Sequence, residues 1–243
     1  MVKVGLVGIG LDTYWCQFDG LYDRLRGYQD QIAARIQGFG AEVVDAGLVD
    51  SPPKAHSAAE QMRREGVEVI FLFVSTYALS STVLPLAQGA GIPIIVLNLQ
   101  PVAAIDYAAF NALGNRGLMT GEWLAHCQAC CVPEIANVFN RAGIDYHLVT
   151  GWLKESRAWE EISAWVDALI VRKQIRDTRV GVLGHYYGGM LDVYTDVTHL
   201  ADVFGCQDKS ANDTFYLAPP QRLWPGFSNL PSIGLLQGVC RGA

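Results

Sequence analysis

Apolar residues 2–7 form a β-branched run that ends in Gly8-Ile9-Gly10, the pattern of a buried strand running into a tight loop. From Leu21 onward, Leu25, Tyr28, Ile32, Ile36 and Phe39 recur every three or four positions. They mark one face of a helix that Gly38 and Gly40 stop. The alternation continues with a short strand over 42–46, the Ser51-Pro52-Pro53 turn, a polar-faced helix over 55–64, and a buried strand over 67–74. A short helix over 79–88 and another buried strand over 92–98 follow. Strands alternating with helices predict a parallel sheet covered on both faces: an α/β, doubly wound, three-layer sandwich of Rossmann-like or flavodoxin-like type.

The pattern loosens over 100–113, and a long helix is predicted from about Leu118 to Phe139. Residues 145–150 suit another strand. Residues 154–173 make an amphipathic helix with Trp159, Ile162, Trp165, Val166, Leu169 and Ile170 on one side. At 179–183 the motif restarts as a strand, a loop over 184–189 and a helix carrying Met190, Tyr194, Val197, Ala201 and Phe204 on one face. These patterns divide the chain into an N-terminal α/β domain over 1–174, the first βα unit of an incomplete second domain over 175–206, and an irregular tail over 207–243. The tail holds Pro219, Pro220, Pro225 and Pro231 and has no sustained period.

Composition narrows the function classes. A chain of 243 residues that is 51% hydrophobic and 17% charged can bury a sizeable core, which excludes global disorder. A net charge of −6 with no basic run argues against nucleic acid and anionic membranes as partners. The longest apolar stretches are far shorter than the ~20 residues a membrane-spanning helix needs. The start of the chain lacks a signal-peptide pattern, so the expected location is cytoplasmic. Six cysteines, three of them bunched at 127, 130 and 131, do not resemble a disulfide framework, and reduced thiols are expected.

Most motifs are weak. The loop Gly8-Ile9-Gly10-Leu11-Asp12-Thr13 has Thr13 where a dinucleotide fingerprint needs its third glycine, and neither a Walker sequence nor a Gly-x-Ser-x-Gly elbow occurs. Cys127-Gln128-Ala129-Cys130 could serve as a redox pair or half of a zinc site. With no second pair, and inside a predicted continuous helix, packing is the favoured role. Loops at the carboxyl ends of parallel strands are where open α/β sheets bind ligands, and these hold Tyr14 and Trp15, Thr76 and Tyr77, and His185. Aromatic faces with polar edges suit a sugar ring, although each of these rings suits simple packing on the sheet end equally well.

Val149-Thr150-Gly151-Trp152, Thr120-Gly121-Glu122-Trp123, Pro133-Glu134-Ile135-Ala136-Asn137 and the run from Gly184 to Asp196 together resemble the L-arabinose isomerase family, related to the L-fucose isomerases. The resemblance covers about residues 2–205. It implies an aldose–ketose interconversion that in the complete enzyme uses Mn²⁺ and two carboxylates. Carried over by position, it makes Asp12 and Trp15 sugar-facing, places Tyr77 over the sugar, and matches Gln100 and Met190 to pocket positions. Asn115 stands where some members carry histidine. The family's metal ligands, two glutamates and two histidines, lie in later domains, whereas the last glutamate here is Glu161. The resemblance therefore implies the N-terminal substrate-binding and oligomerisation part of an isomerase, with no catalytic residue, metal ligand or cofactor of its own. Its expected partners are a small sugar and either further copies of itself or a complete isomerase chain. The alternative is a stand-alone sugar-binding or interaction module.

Overall fold

A computed structural model describes residues 1–176, 179–182, 196–205 and 207–210. The chain falls into two compact units, Met1–Gln174 and Ile175–Ala243. In the first, five strands form one all-parallel sheet: β1 (Val2–Ile9), β2 (Ala41–Val49), β3 (Val69–Val74), β4 (Ile94–Gln100) and β5 (Tyr146–Trp152). Their order is β2-β1-β3-β4-β5. The helices are α1 (Leu21–Gly38), α2 (Pro52–Arg64), α3 (Ser80–Ala90), α4 (Tyr107–Ala112), α5 (Arg116–Leu124), α6 (Val132–Ala142) and α7 (Ser156–Arg176).

The two-residue period of the strands sorts the core into two layers. Ile70, Leu72 and Val74 of β3 face α2, α3 and α6, where they meet Met62, Leu86 and Phe139. Val69, Phe71 and Phe73 point the other way, into the layer of Ile32 and Ile36 from α1 and Trp159, Ile162 and Val166 from α7. All six residues of β3 are buried, as expected of a central strand covered on both faces. The three-layer α/β architecture is thus established, with the flavodoxin-like strand order.

Several elements differ from the pattern's prediction. The buried stripe of α1 is Leu21, Leu25, Gln29, Ile32 and Ile36. Tyr28 and Phe39 are only half-buried, and Gln29 takes the inner position instead. Its amide donates to Asp45 Oδ1 (2.6 Å) and to the Gly47 carbonyl (3.1 Å). Gly8 makes room for it, since a Cβ there would overlap Gln29 Oε1. The strand predicted over 42–46 runs on to Val49, past an irregularity in its pairing with β1 where Gly47 takes φ +72°.

The continuous helix expected from 118 to 139 is two helices. α5 stops at Leu124, whose carbonyl accepts from Thr76 Oγ1 (2.7 Å), and α6 restarts at Val132 with Pro133 in its first turn. Proline is well placed there and would disrupt a helix interior. The loosened region also contains α4, capped by Asp106, which accepts from the Ala108 and Ala109 N–H groups.

In the second unit, β6 (Arg179–Val182) pairs in parallel with β7 (Gln207–Ser210), and α8 (Val197–Phe204) lies between them in sequence. The strand β7 extends regular structure four residues into the region read as an irregular tail. Asp196 caps α8 by accepting from His199 N (2.9 Å). Among the described residues, no helix is long and apolar enough to cross a membrane.

Candidate functional site

The strand order sets where a ligand can enter. From β1 the chain moves outward to β2, then crosses back past β1 to β3, so the connections after β1 and β3 leave on opposite faces of the sheet. A crevice results outside the carboxyl ends of these two strands. Ser75 Oγ ties the end of β3 to β1 by donating to the Ile9 carbonyl (2.6 Å), and Gly10 N ties β1 to β2 by donating to the Val49 carbonyl (3.0 Å).

After β1 the chain makes a short 3-10 turn over Asp12–Tyr14. Trp15 is held by its indole N–H, which donates to Asp50 Oδ2 (2.9 Å), and by an edge contact with Tyr22. Its ring lies close to Gly10, where an added Cβ would come within 2.8 Å of it. Asp50, at the carboxyl end of β2, also accepts from Lys54 Nζ (2.7 Å) and is 2% exposed. Burial alone would raise its carboxyl pKa. The hydrogen bonds from Lys54 and Trp15 outweigh that cost and hold it below the ordinary value.

Tyr14 is half-buried. Burial pushes its phenol pKa up, and the neighbouring Tyr77 and Cys131 add to the shift. The loops after β1 and β3 thus converge closely enough for Tyr77 to act electrostatically on Tyr14. Part of each aromatic surface goes to packing: Tyr14 and Trp15 rest on Leu21, Leu25, Leu48 and Leu124, and Tyr77 rests on the α2-α3-α6 layer.

Behind these rings lies the loop between α5 and α6. Gln128 is fully buried, and its amide donates to the Ser75 carbonyl (2.8 Å) and the Ala125 carbonyl (2.9 Å). Gln100, at the end of β4, donates to the His126 carbonyl (3.0 Å) and to Gln128 Oε1 (2.8 Å), and accepts from Ala129 N (3.1 Å). Its amide is thus engaged in fixing this loop. Cys131 Sγ points to the Thr76 carbonyl. Arg24 of α1 pairs through both guanidinium nitrogens with Glu122 of α5, which lowers the Glu122 carboxyl pKa.

The other sequence-predicted residues are more dispersed. Asp12 is exposed at the start of the 3-10 turn. Asn115 is exposed and caps α5 by accepting from Leu118 N (3.0 Å). His185 and Met190 lie outside the described residues. Asp50, Ser75 and Gln128 were missed. The first two carry a usable signal, polar side chains directly after apolar strands, whereas Gln128 has none because the segment around it reads as helix.

The cysteines also depart from expectation. Cys127 and Cys130 are joined as a disulfide in the loop, while Cys16 and Cys131 are free. The pair was expected to be two packing thiols within one helix, and it lies instead in the connection between α5 and α6. Among the described residues, no three His, Cys, Asp or Glu side chains gather in a way that could hold a metal ion. Compared with known proteins, no family model matches the chain and no curated protein matches it.

Proposed function

We propose that this chain is the sugar-binding and subunit-contacting part of an aldose–ketose isomerase of the L-arabinose or L-fucose type, and that it does not turn sugar over alone. The observation that carries the reading is the placement of Tyr14 and Tyr77 in the loops at the carboxyl ends of β1 and β3, beside the reversal of strand order. Ring faces of this kind stack on the C–H face of a sugar, and the phenol hydroxyls exchange hydrogen bonds with its hydroxyls. The subunit contact is assigned to the segment holding α4 and α5, in which Val102, Tyr107, Leu113, Leu118 and Trp123 are each exposed. The occupant is a second copy of this chain.

The stand-alone sugar-binding module is the second reading. It is favoured by a first unit whose sheet is covered on both faces by its own helices. One set of measurements separates the two: titration of the full chain with L-arabinose, L-fucose and D-hexoses by tryptophan fluorescence, light scattering, and a ketose assay with added Mn²⁺. The isomerase-part reading expects an oligomer, no ketose, and a saturable millimolar response that Tyr77→Ala removes. Micromolar binding by a monomer favours the module. Mn²⁺-dependent ketose formation, or a sugar response unchanged in both Tyr14→Ala and Tyr77→Ala, overturns the proposal.

A further inference from the structure

We infer that Cys127 and Cys130 form a reversible dithiol–disulfide site, opened by a dithiol reductant, that sets how firmly the loop over 125–131 is seated against the carboxyl ends of β3 and β4. The two residues are three apart in sequence with Cα atoms 5.4 Å apart, and their burial is unequal. Cys127 is 1% exposed, whereas Cys130 is exposed to solvent. An incoming thiolate can therefore reach only the Cys130 sulfur. It forms a mixed disulfide there and expels Cys127 as a thiolate, which takes up a proton. The second thiol of the reductant then attacks the mixed disulfide and releases Cys130, leaving the reductant as a disulfide. Two electrons and two protons pass to the protein.

The neighbouring Cys131 does not compete for the bridge. It is buried, its sulfur is directed to the Thr76 carbonyl, and burial pushes its thiol pKa up to about 11, so it stays protonated at neutral pH. The residues enclosed by the bridge are the ones that hold the crevice floor. Gln128 binds the Ser75 carbonyl, and Ala129 N and Gln128 Oε1 both bind Gln100. Closing the bridge removes conformations from this loop that the dithiol form can visit, so the disulfide state holds residues 75–77 more firmly. The chemistry of the pair stands apart from the sugar reading, and neither readout below uses a sugar, so either proposal can fail while the other survives.

The test equilibrates the full chain with graded ratios of reduced to oxidised dithiothreitol, then alkylates it, maps the peptides and measures hydrogen exchange. Cys127 and Cys130 are expected to lose alkylation together in one reversible two-electron transition. Amides over 75–77 and 125–131 should exchange about tenfold more slowly in the oxidised form. Cys130→Ser should abolish the transition and fix exchange at the reduced level, while Cys16→Ser should leave both unchanged. Because the wild type supplies its own oxidised and reduced states, a poorly folded variant does not remove the test. The inference is overturned if both cysteines remain alkylated at every ratio, if Cys130 pairs with a different cysteine, or if exchange over 75–77 is the same in the two states.

Discussion

Replacing Gln128 by methionine isolates the hydrogen bonds that hold the floor of the crevice. The two side chains are close in volume, so the change leaves little cavity and removes mainly polar contacts. In the native protein the Gln128 amide serves the Ser75 and Ala125 carbonyls, and its oxygen accepts from Gln100, all around a side chain with no solvent exposure. Methionine leaves two carbonyls and one amide N–H without these partners. A buried group stranded in this way costs about 1–3 kcal/mol, and the three share one network, so the total is expected at roughly 3–5 kcal/mol rather than their sum. For a unit of this size that is a fall in Tm of about 6–20 °C. The assay is urea and thermal unfolding followed by tryptophan fluorescence, with Gln31→Met as the comparison. Gln31 bonds only the Gly27 carbonyl on an exposed helix face, and its loss should stay within ~0.5 kcal/mol. A loss below about 1 kcal/mol for Gln128→Met would refute the assignment of this residue as the tie between loop and sheet.

Two further outcomes test the neighbourhood of Trp15. Gly10→Ala places a methyl 2.8 Å from the indole ring, so the ring must shift, with about 1–3 kcal/mol lost and a changed Trp15 emission; an unaltered spectrum and midpoint would contradict the close approach. Asp50 has a carboxyl pKa depressed below its ordinary 3.8. Its contribution to stability is therefore fully present above that value and is lost as pH falls through the lower folded value. Wild type should lose more stability than Asp50→Asn between about pH 5 and pH 3 in urea unfolding, and parallel pH profiles would show that the carboxylate is not stabilised by Lys54 and Trp15.

The sequence by itself determined the α/β class and most of the elements of the first unit. β1, β3 and β4, with α1, α2, α3 and α7, were legible because a strand or helix period is written in residues a few positions apart, and Gly38, Gly40 and the Ser51-Pro52-Pro53 turn punctuate it. It also pointed to the loops after β1 and β3 as the place for a ligand. The tertiary structure alone decided the order β2-β1-β3-β4-β5, the hydrogen bond from Trp15 to Asp50, the break between α5 and α6, and the bridge from Cys127 to Cys130. The physical reason is range. The end of α5 is set by a hydroxyl 48 residues away at Thr76, and the loop beyond it by a bond from Gln128 to Ser75, 53 residues back. No local period records such partners. Around residues 118–139 the local signal for one long helix was strong, and contacts with the distant end of β3 overruled it.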